Sequence, residues 1–315
     1  MKDIKLLLLA VILLFLLSFI EVPAQDDEIR VETNLVTMNV AVTDKNGNYI
    51  KNLSAADFEV FDGKVKREIE QFSSEDAPVY FGIVYDLGNA EQTRNVLEAL
   101  RRFAGQLGAE DDYFVTVFNE RGSLTTDFVP TSEQIAANLE NNKTNSLYDA
   151  IVAASQKVRT RKNAKQVLLV LTDGEDNASR NSLKDLRLDL RSVNLPVYTV
   201  TFDKTGGSAW NYTNVNHWRE PRKLDQFETS ELSKAALDEI CKTSGGQSFE
   251  KTIYNRLYLY TIFTKILTEV ENQYVIGFYP ENTDGKWHKL KVRVNAENGR
   301  ALKLSNRKGY QSPKG

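Results

Sequence analysis

One cysteine and two histidines bound the nucleophile and imidazole chemistry open to this chain. Cys241 follows Leu237 and Ile240 in the stretch Glu231 to Thr243, which reads as an amphipathic helix, so its thiol is expected to be a small buried apolar group and not a nucleophile. With no second cysteine there is no internal disulfide, and stability must come from the core. His217 and His288 sit in polar, aromatic-flanked segments without a partner at metal-ligand spacing, and both are expected at the surface. The sequence carries no Ser/His/Asp or Cys/His constellation, no His-rich metal motif and no glycine-rich phosphate loop; no catalytic residue is assigned. Recognition then falls to other groups. Trp210, Tyr212 and Trp218 lie in a polar connection over residues 203–229, longer than ordinary loops, and they either form a contact surface for a partner or fold back to cover the core edge.

Such residues need a scaffold, and the composition supplies one. With 41% hydrophobic and 10% aromatic residues, 315 residues can bury one large core or two smaller ones. Lys+Arg 40 against Asp+Glu 43 leaves a net charge of -3 with both signs interspersed, so nucleic acid is not an expected partner. Lys2 and Lys5 precede an apolar run from Leu6 to Leu17 that continues through Phe19 and Ile20, the pattern of an export signal over residues 1–24 with cleavage after Ala24. The alternative is an uncleaved anchor, although the run is short for a span of about 20 residues. No cysteine follows it, so a lipoprotein is not indicated.

Residues 25–76 read as a small β unit. Val36, Met38, Val40 and Val42 alternate with polar or small residues, Asn46-Gly47 supplies a tight turn, Ser54 to Asp57 a capped helical turn, and Phe58 to Phe61 and Arg67 to Phe72 further strands. These strands are too few to cover both their faces. From residue 77 to 272 strands alternate with helices: Val79 to Tyr85, Tyr113 to Phe118, Val167 to Leu171 and Val197 to Thr201 as strands, with helices at Glu91 to Leu107, Ser132 to Leu139, Leu147 to Val158, Ser182 to Val193 and Ile253 to Val270. That order predicts an α/β fold, a doubly wound and mainly parallel sheet flanked by helices, with ligands at the carboxyl ends of its strands. The strands at Tyr274 to Tyr279, Lys289 to Val294 and Ala301 to Leu304, in the segment 273–315, have no neighbours of their own and are expected to pair with the N-terminal unit as one β-sandwich, with the α/β body inserted between its halves.

The segments Tyr85-Asp86-Leu87-Gly88-Asn89-Ala90 and Val170-Leu171-Thr172-Asp173-Gly174 resemble the metal-site strands of von Willebrand factor A domains, which are Rossmann-like. Leu35 to Asp44, Leu53 to Val60, the helix start Ser146-Leu147-Tyr148-Asp149-Ala150 and the final Gly309-Tyr310 look like the bacterial secreted VWFA-related family. The match covers most of residues 30–310, and its specificity lies in the order of the pieces. The resemblance implies an ion-dependent adhesion site with an Asp-x-Ser-x-Ser loop, a Thr before a helix and an Asp after a central strand. Asp86 and Asp173 match the two aspartates, but the serine positions hold Gly88 and Ala90, and Asn145 stands at the Thr position with Thr144 beside it. The expected site is therefore degenerate: Asp86, Asn145 and Asp173 hold Mg2+ or another divalent cation weakly or not at all, and no cofactor is required. In the other reading Asp86 and Asp173 cap helices or loop amides. Glu175 and Asp176 either supplement the cation or are solvated loop charges. The implied function is an exported, periplasmic or extracellular module that binds a protein partner without catalysis, as in adhesion, and meets a membrane only through an uncleaved export signal. A structural scaffold of the cell envelope is the alternative; a metal-dependent hydrolase would need an activated water that no constellation here supports.

Overall fold

In the computed structural model the described residues are 35–73, 76–119, 122–139, 147–161, 165–176, 179–202, 224–250, 256–295 and 302–313, with the helical backbone alone over 224–233. Alternating apolar residues give β1 (Val36–Thr43). Asp44 Oδ1 then accepts from the Asn46 and Asn48 amides at 2.8 and 2.9 Å, closing a turn in which Gly47 takes φ +90°, a conformation that favours glycine. Ser54 to Asp57 forms a single 3-10 turn, with the Ser54 amide donating to Asp57 Oδ2 at 2.7 Å. The short strands β2 (Phe58–Asp62), β3 (Val65–Arg67) and β4 (Gln71–Ser73) follow.

The α/β layer begins with β5 (Val79–Asp86), buried at every residue as a continuous apolar run requires of a strand covered on both faces. After it come α1 (Ala90–Ala104), β6 (Asp112–Asn119), β7 (Gly122–Thr126), α2 (Ser132–Leu139), α3 (Leu147–Val158), β8 (Lys165–Thr172), α4 (Leu183–Arg191), β9 (Val197–Thr201), α5 (Leu224–Ser244), β10 (Ser248–Glu250) and α6 (Arg256–Glu271). The sheet order is β10-β9-β8-β5-β6-β7, parallel except for β7 at the edge. The chain leaves β5 toward β6 and later returns on its other side as β8, so the connections reverse between these two adjacent strands. Phe81, Ile83 and Tyr85 pack beneath α1 and α6 with Leu100, Phe103 and Phe263. Tyr80, Val84 and Leu168 face α3, α4 and α5 through Ile151, Leu186 and Ile240.

The chain then returns to its N-terminal strands through β11 (Gln273–Phe278), β12 (Trp287–Val294), β13 (Lys303–Asn306) and β14 (Gly309–Gln311). Two four-stranded antiparallel sheets result, β13-β1-β11-β4 and β14-β12-β2-β3, with Val36 opposite Phe278 in one and Val60 opposite Val292 in the other. Their inner faces share one core of Met38, Val40, Phe58, Tyr274, Phe278 and Tyr310. Each sheet mixes strands from both ends of the chain, so neither end could bury its apolar face alone.

A polar seam joins the layers. Lys165, at the start of β8 and 2% exposed, donates to the carbonyls of Val270, Glu271 and Gln273 at 3.1, 3.0 and 3.4 Å, where α6 ends and β11 begins. Its positive charge thus faces the negative end of the α6 dipole and the carbonyls left without helical donors. Alongside, Asn39 Nδ2 donates to Gln273 Oε1 at 3.0 Å, Asn194 Nδ2 to Asn39 Oδ1 at 2.7 Å, and Gln273 Nε2 to the Tyr198 hydroxyl at 3.3 Å.

Several sequence expectations are corrected. Helix α5 starts at Leu224, so the connection expected to reach residue 229 gives way to helix earlier. The strands β7, β10 and β14 escaped detection because each is three to five residues long with too few apolar positions to show a period of two. His288 is half-buried, not fully at the surface: its ring stacks on Tyr310 with centroids 5.4 Å apart, with its side chain 17% exposed. The expected export signal, Asn145 with Thr144, and Trp210, Tyr212, His217 and Trp218 lie outside the described residues. Among the described residues no helix is long and apolar enough to cross a membrane.

Replacing Lys165 by Met keeps the volume but leaves buried carbonyls without their donor. Urea unfolding of Lys165→Met is expected to show a loss of about 1–3 kcal/mol; a variant as stable as the parent would show that the carbonyls find other donors.

Candidate functional site

The carboxyl ends of β5 and β8 bring together the two aspartates singled out in the sequence. Tyr85 lies opposite Leu171 in the parallel ladder, so Asp86 and Thr172 end their strands at the same height and Asp173 follows one residue on. Both carboxylates are buried, at 3% and 5% exposure. Thr172 Oγ1 donates to Asp86 Oδ2 at 3.1 Å and accepts from the Gly174 amide at 3.0 Å. Asp173 Oδ1 accepts from the Glu175 amide at 2.9 Å, an Asx turn for which Gly174 adopts φ +86°. Thr172 is thus a site residue that sequence reasoning missed; a hydroxyl closing an apolar strand just before Asp173 was the available signal.

The loop after β5 is held from below. The Tyr85 hydroxyl, pushed up to about 12 by burial, contacts Thr93 Oγ1 at 3.2 Å and accepts from the Gly88 amide at 3.4 Å. Asn89 caps α1, accepting from the Gln92 amide at 3.0 Å, while Gln92 Oε1 accepts from the Asn89 amide at 3.1 Å. This reciprocal box puts the Gln92 side chain where a Cβ on Gly88 would stand; the added atom would overlap Gln92 Oε1. The lack of a side chain at position 88 is therefore coupled to the buried Gln92, four residues on in sequence.

Asp176 is partly buried and bonded within its own loop and to the start of α3. Its Oδ1 accepts from Ser179 Oγ at 2.5 Å and from the Tyr148 amide at 3.3 Å, and Ser179 Oγ accepts from the Tyr148 and Asp149 amides at 3.1 and 3.2 Å. Asp149 answers by accepting from the Arg180 and Asn181 amides, both at 3.0 Å. The loop beyond Asp173 and the amino end of α3 are clasped in both directions, the carboxylate of Asp176 lying at the positive helix end.

A hard cation needs about six oxygen donors. The described residues do not fit that shell: Gly88 and Ala90 contribute no side-chain oxygen, Gln92 fills the volume beside Gly88, and Asp173 Oδ1 already accepts a loop amide. Among the described residues no cluster of three or more His, Cys, Asp or Glu side chains could hold a metal ion.

Away from the strand ends, Cys241 is fully buried, donates to Thr199 Oγ1 at 3.4 Å and is pushed up to about 12 by burial, which makes its thiol inert. In the sandwich, Asp62 accepts from Arg67 Nη2 and from the Tyr310 hydroxyl, both at 3.1 Å, with His288 Nδ1 3.4 Å away. Burial, then the Asp62 carboxylate, push the Tyr310 phenol well above its ordinary value. Among the described residues no hydroxyl or thiol nucleophile bonds to His288, so the cluster is a buried polar tie between β2, β12 and β14.

Residues 90–217 match the family model of the von Willebrand factor type A domain. Most of the α/β layer, from α1 to β9, lies in that matched stretch. Among curated proteins none matches the chain. Solved structures similar to it include an aerotolerance-related membrane protein from Bacteroides fragilis, at 17% identity over 61% of this chain and 98% of the other with a TM-score of 0.38. A conserved hypothetical protein, BatB, from Bacteroides thetaiotaomicron matches at 17% identity over 61% and 99% of the two chains with a TM-score of 0.39. A von Willebrand factor type A protein from Catenulispora acidiphila matches at 12% identity over 79% and 72% with a TM-score of 0.41. Asp86 precedes the matched stretch and Asp173 lies inside it.

Restoring the serine at position 88 is expected to displace Gln92 Oε1 and cost a capping bond. Gly88→Ser should lower stability by about 1–2 kcal/mol in urea unfolding, and adding Gln92→Ala should not deepen the loss. Full stability of the single variant would mean that the loop has room for a serine.

Proposed function

We propose that this chain is an exported, non-catalytic binding module that recognises a protein partner with the carboxyl ends of its parallel strands. The observation that carries the reading is the position of Asp86 and Asp173 at the adjacent ends of β5 and β8, where the sheet connections reverse. Open α/β sheets bind their ligands in that crevice. Support comes also from the type A domain itself, from the inert Cys241 and from the absence of a nucleophile bonded to His288 among the described residues. Export rests on Lys2, Lys5 and the apolar run from Leu6 to Leu17.

Recognition on this reading needs no tightly held metal, because two carboxylates and one hydroxyl are too few oxygens. Asn145 at the Thr position and the aromatics Trp210, Tyr212 and Trp218 are the proposed further contributors to the binding face. A weak divalent cation, such as Mg2+, would bind through Asp86 and Asp173 with water filling out its shell.

Calorimetric titration of Mg2+, Mn2+ and Ca2+ into chelator-treated mature protein is expected to give no saturable heat below the millimolar range, on the order of the weakest extracellular cation sites. Tight binding abolished by Asp173→Ala would instead assign a working metal site. In parallel, Asp86→Ala and Trp218→Ala should each weaken capture of a partner from envelope extracts while leaving the fold intact. Turnover of ester, phosphate or peptide substrates by the pure protein would sink the non-catalytic reading.

A further inference from the structure

The cleft between the von Willebrand factor type A domain and the sandwich carries positive charge that its own residues do not balance. It opens between α4 and α5 on one side and β12 and β14 on the other, and Arg187, Arg191, Arg307, Glu239, Ile240 and Trp287 line it. Arg187 and Arg191 share a single carboxylate: Arg187 Nη2 bonds to Glu239 Oε2, and Arg191 Nη2 lies 3.4 Å from Glu239 Oε1. The Arg191 guanidinium also covers the Trp287 ring, 5.0 Å from its centroid.

Arg307 differs from these two. It is 4% exposed, and its Nη1 donates to the Val193 carbonyl at 3.0 Å, a neutral partner. The Nε atoms of Arg307 and Arg187 are both buried, and neither has a hydrogen-bond partner among the described residues. Three guanidiniums against one carboxylate leave the lining with a net charge of +2 (three minus one). Burial lowers Arg307 to about 10, so it stays charged at neutral pH. A buried cation without a counter-ion is costly, and unsatisfied buried donors add to that cost.

We propose that this interlayer cleft is a binding site for a carboxylate group, held by the Arg307 and Arg187 guanidiniums with its substituent against Trp287 and Ile240. The planar guanidinium fork matches a carboxylate in shape as well as charge. The cavity volume is about 20 Å3, against roughly 10–15 Å3 for one water. That enclosed space seats little more than one carboxylate oxygen beside the buried guanidiniums, with the rest of the group toward the open side, and excludes a sugar or a nucleotide. The indole and Ile240 supply an apolar wall for a short hydrocarbon substituent. The site is separate from the strand-end crevice and does not rest on the function proposed for it.

The test is titration of acetate into the full chain at constant ionic strength, followed by calorimetry and thermal unfolding, with chloride and sulfate as comparators. A ligand that binds only the folded state raises Tm saturably. The expected result is a saturable acetate response that exceeds those of chloride and sulfate and is lost in Arg307→Met. Arg187→Gln, on a side chain one-third exposed, keeps the fold and should weaken acetate at least fivefold, so the test stands even where Arg307→Met does not fold. Equal responses to all three anions, an acetate response that survives Arg307→Met, or an unchanged affinity in Arg187→Gln would overturn the assignment. Short peptides with free and amidated carboxyl ends identify the source. Preference for the free end assigns the site to a polypeptide terminus, and binding of acetate with neither peptide assigns it to a free small acid.

Discussion

The ammonium of Lys165 is the point at which the two layers of this protein become one structure. It stands at the first residue of β8, inside the parallel sheet, yet its three acceptors belong to the end of α6 and the start of β11. A cation is tolerable in that buried position because helix carbonyls without donors, and the negative end of the helix dipole, converge on it. Fixing that junction fixes where β11 enters, and β11 then sets the register of β1 and β4 on its two sides. The Asn39–Gln273 and Asn39–Asn194 bonds extend the same seam, so the buried amides of Asn39 and Gln273 are paired with each other across the layers.

With the frame fixed, the strand-end region bonds its carboxylates to its own hydroxyls and amides. Thr172 engages Asp86, a loop amide engages Asp173, Gln92 and Asn89 close the loop after β5, and Asp149 with Asp176 and Ser179 locks the next loop to α3. Carboxylates at these strand ends are therefore partly committed to ordering backbone. That commitment orders the loops that surround the crevice.

The interlayer cleft obeys the opposite logic. At the strand ends, negative groups are answered by hydroxyls and amides; in the cleft, among the described residues, Arg307 bonds to a carbonyl while its neighbours divide one glutamate. The contrast arises from geometry. Strand-end loops can bend to offer donors, whereas the cleft is walled by two helices and two strands whose backbones are held in regular structure.

What the sequence determined by itself was the set of local elements and their order. Alternation in β1, the unbroken apolar run of β5, the helical spacing in α1 and the strand and helix succession to β9, apart from β7, follow from burial periodicity, which short windows record. The absence of side-chain oxygen at Gly88 and Ala90 was equally plain, as was the pairing need of the orphan strands after Gln273. Tertiary structure alone decided which groups meet: Lys165 with the end of α6, Thr172 with Asp86, Asp62 with Tyr310 and His288, and Arg307 with no carboxylate among the described residues. The edge strands β7, β10 and β14 also belong to that list, because three to five residues carry too little periodicity and gain their conformation from a neighbour. The physical reason is common to all of these. Periodicity reports how deeply a residue is buried, while the identity of its partner depends on the packing of segments tens to hundreds of residues away.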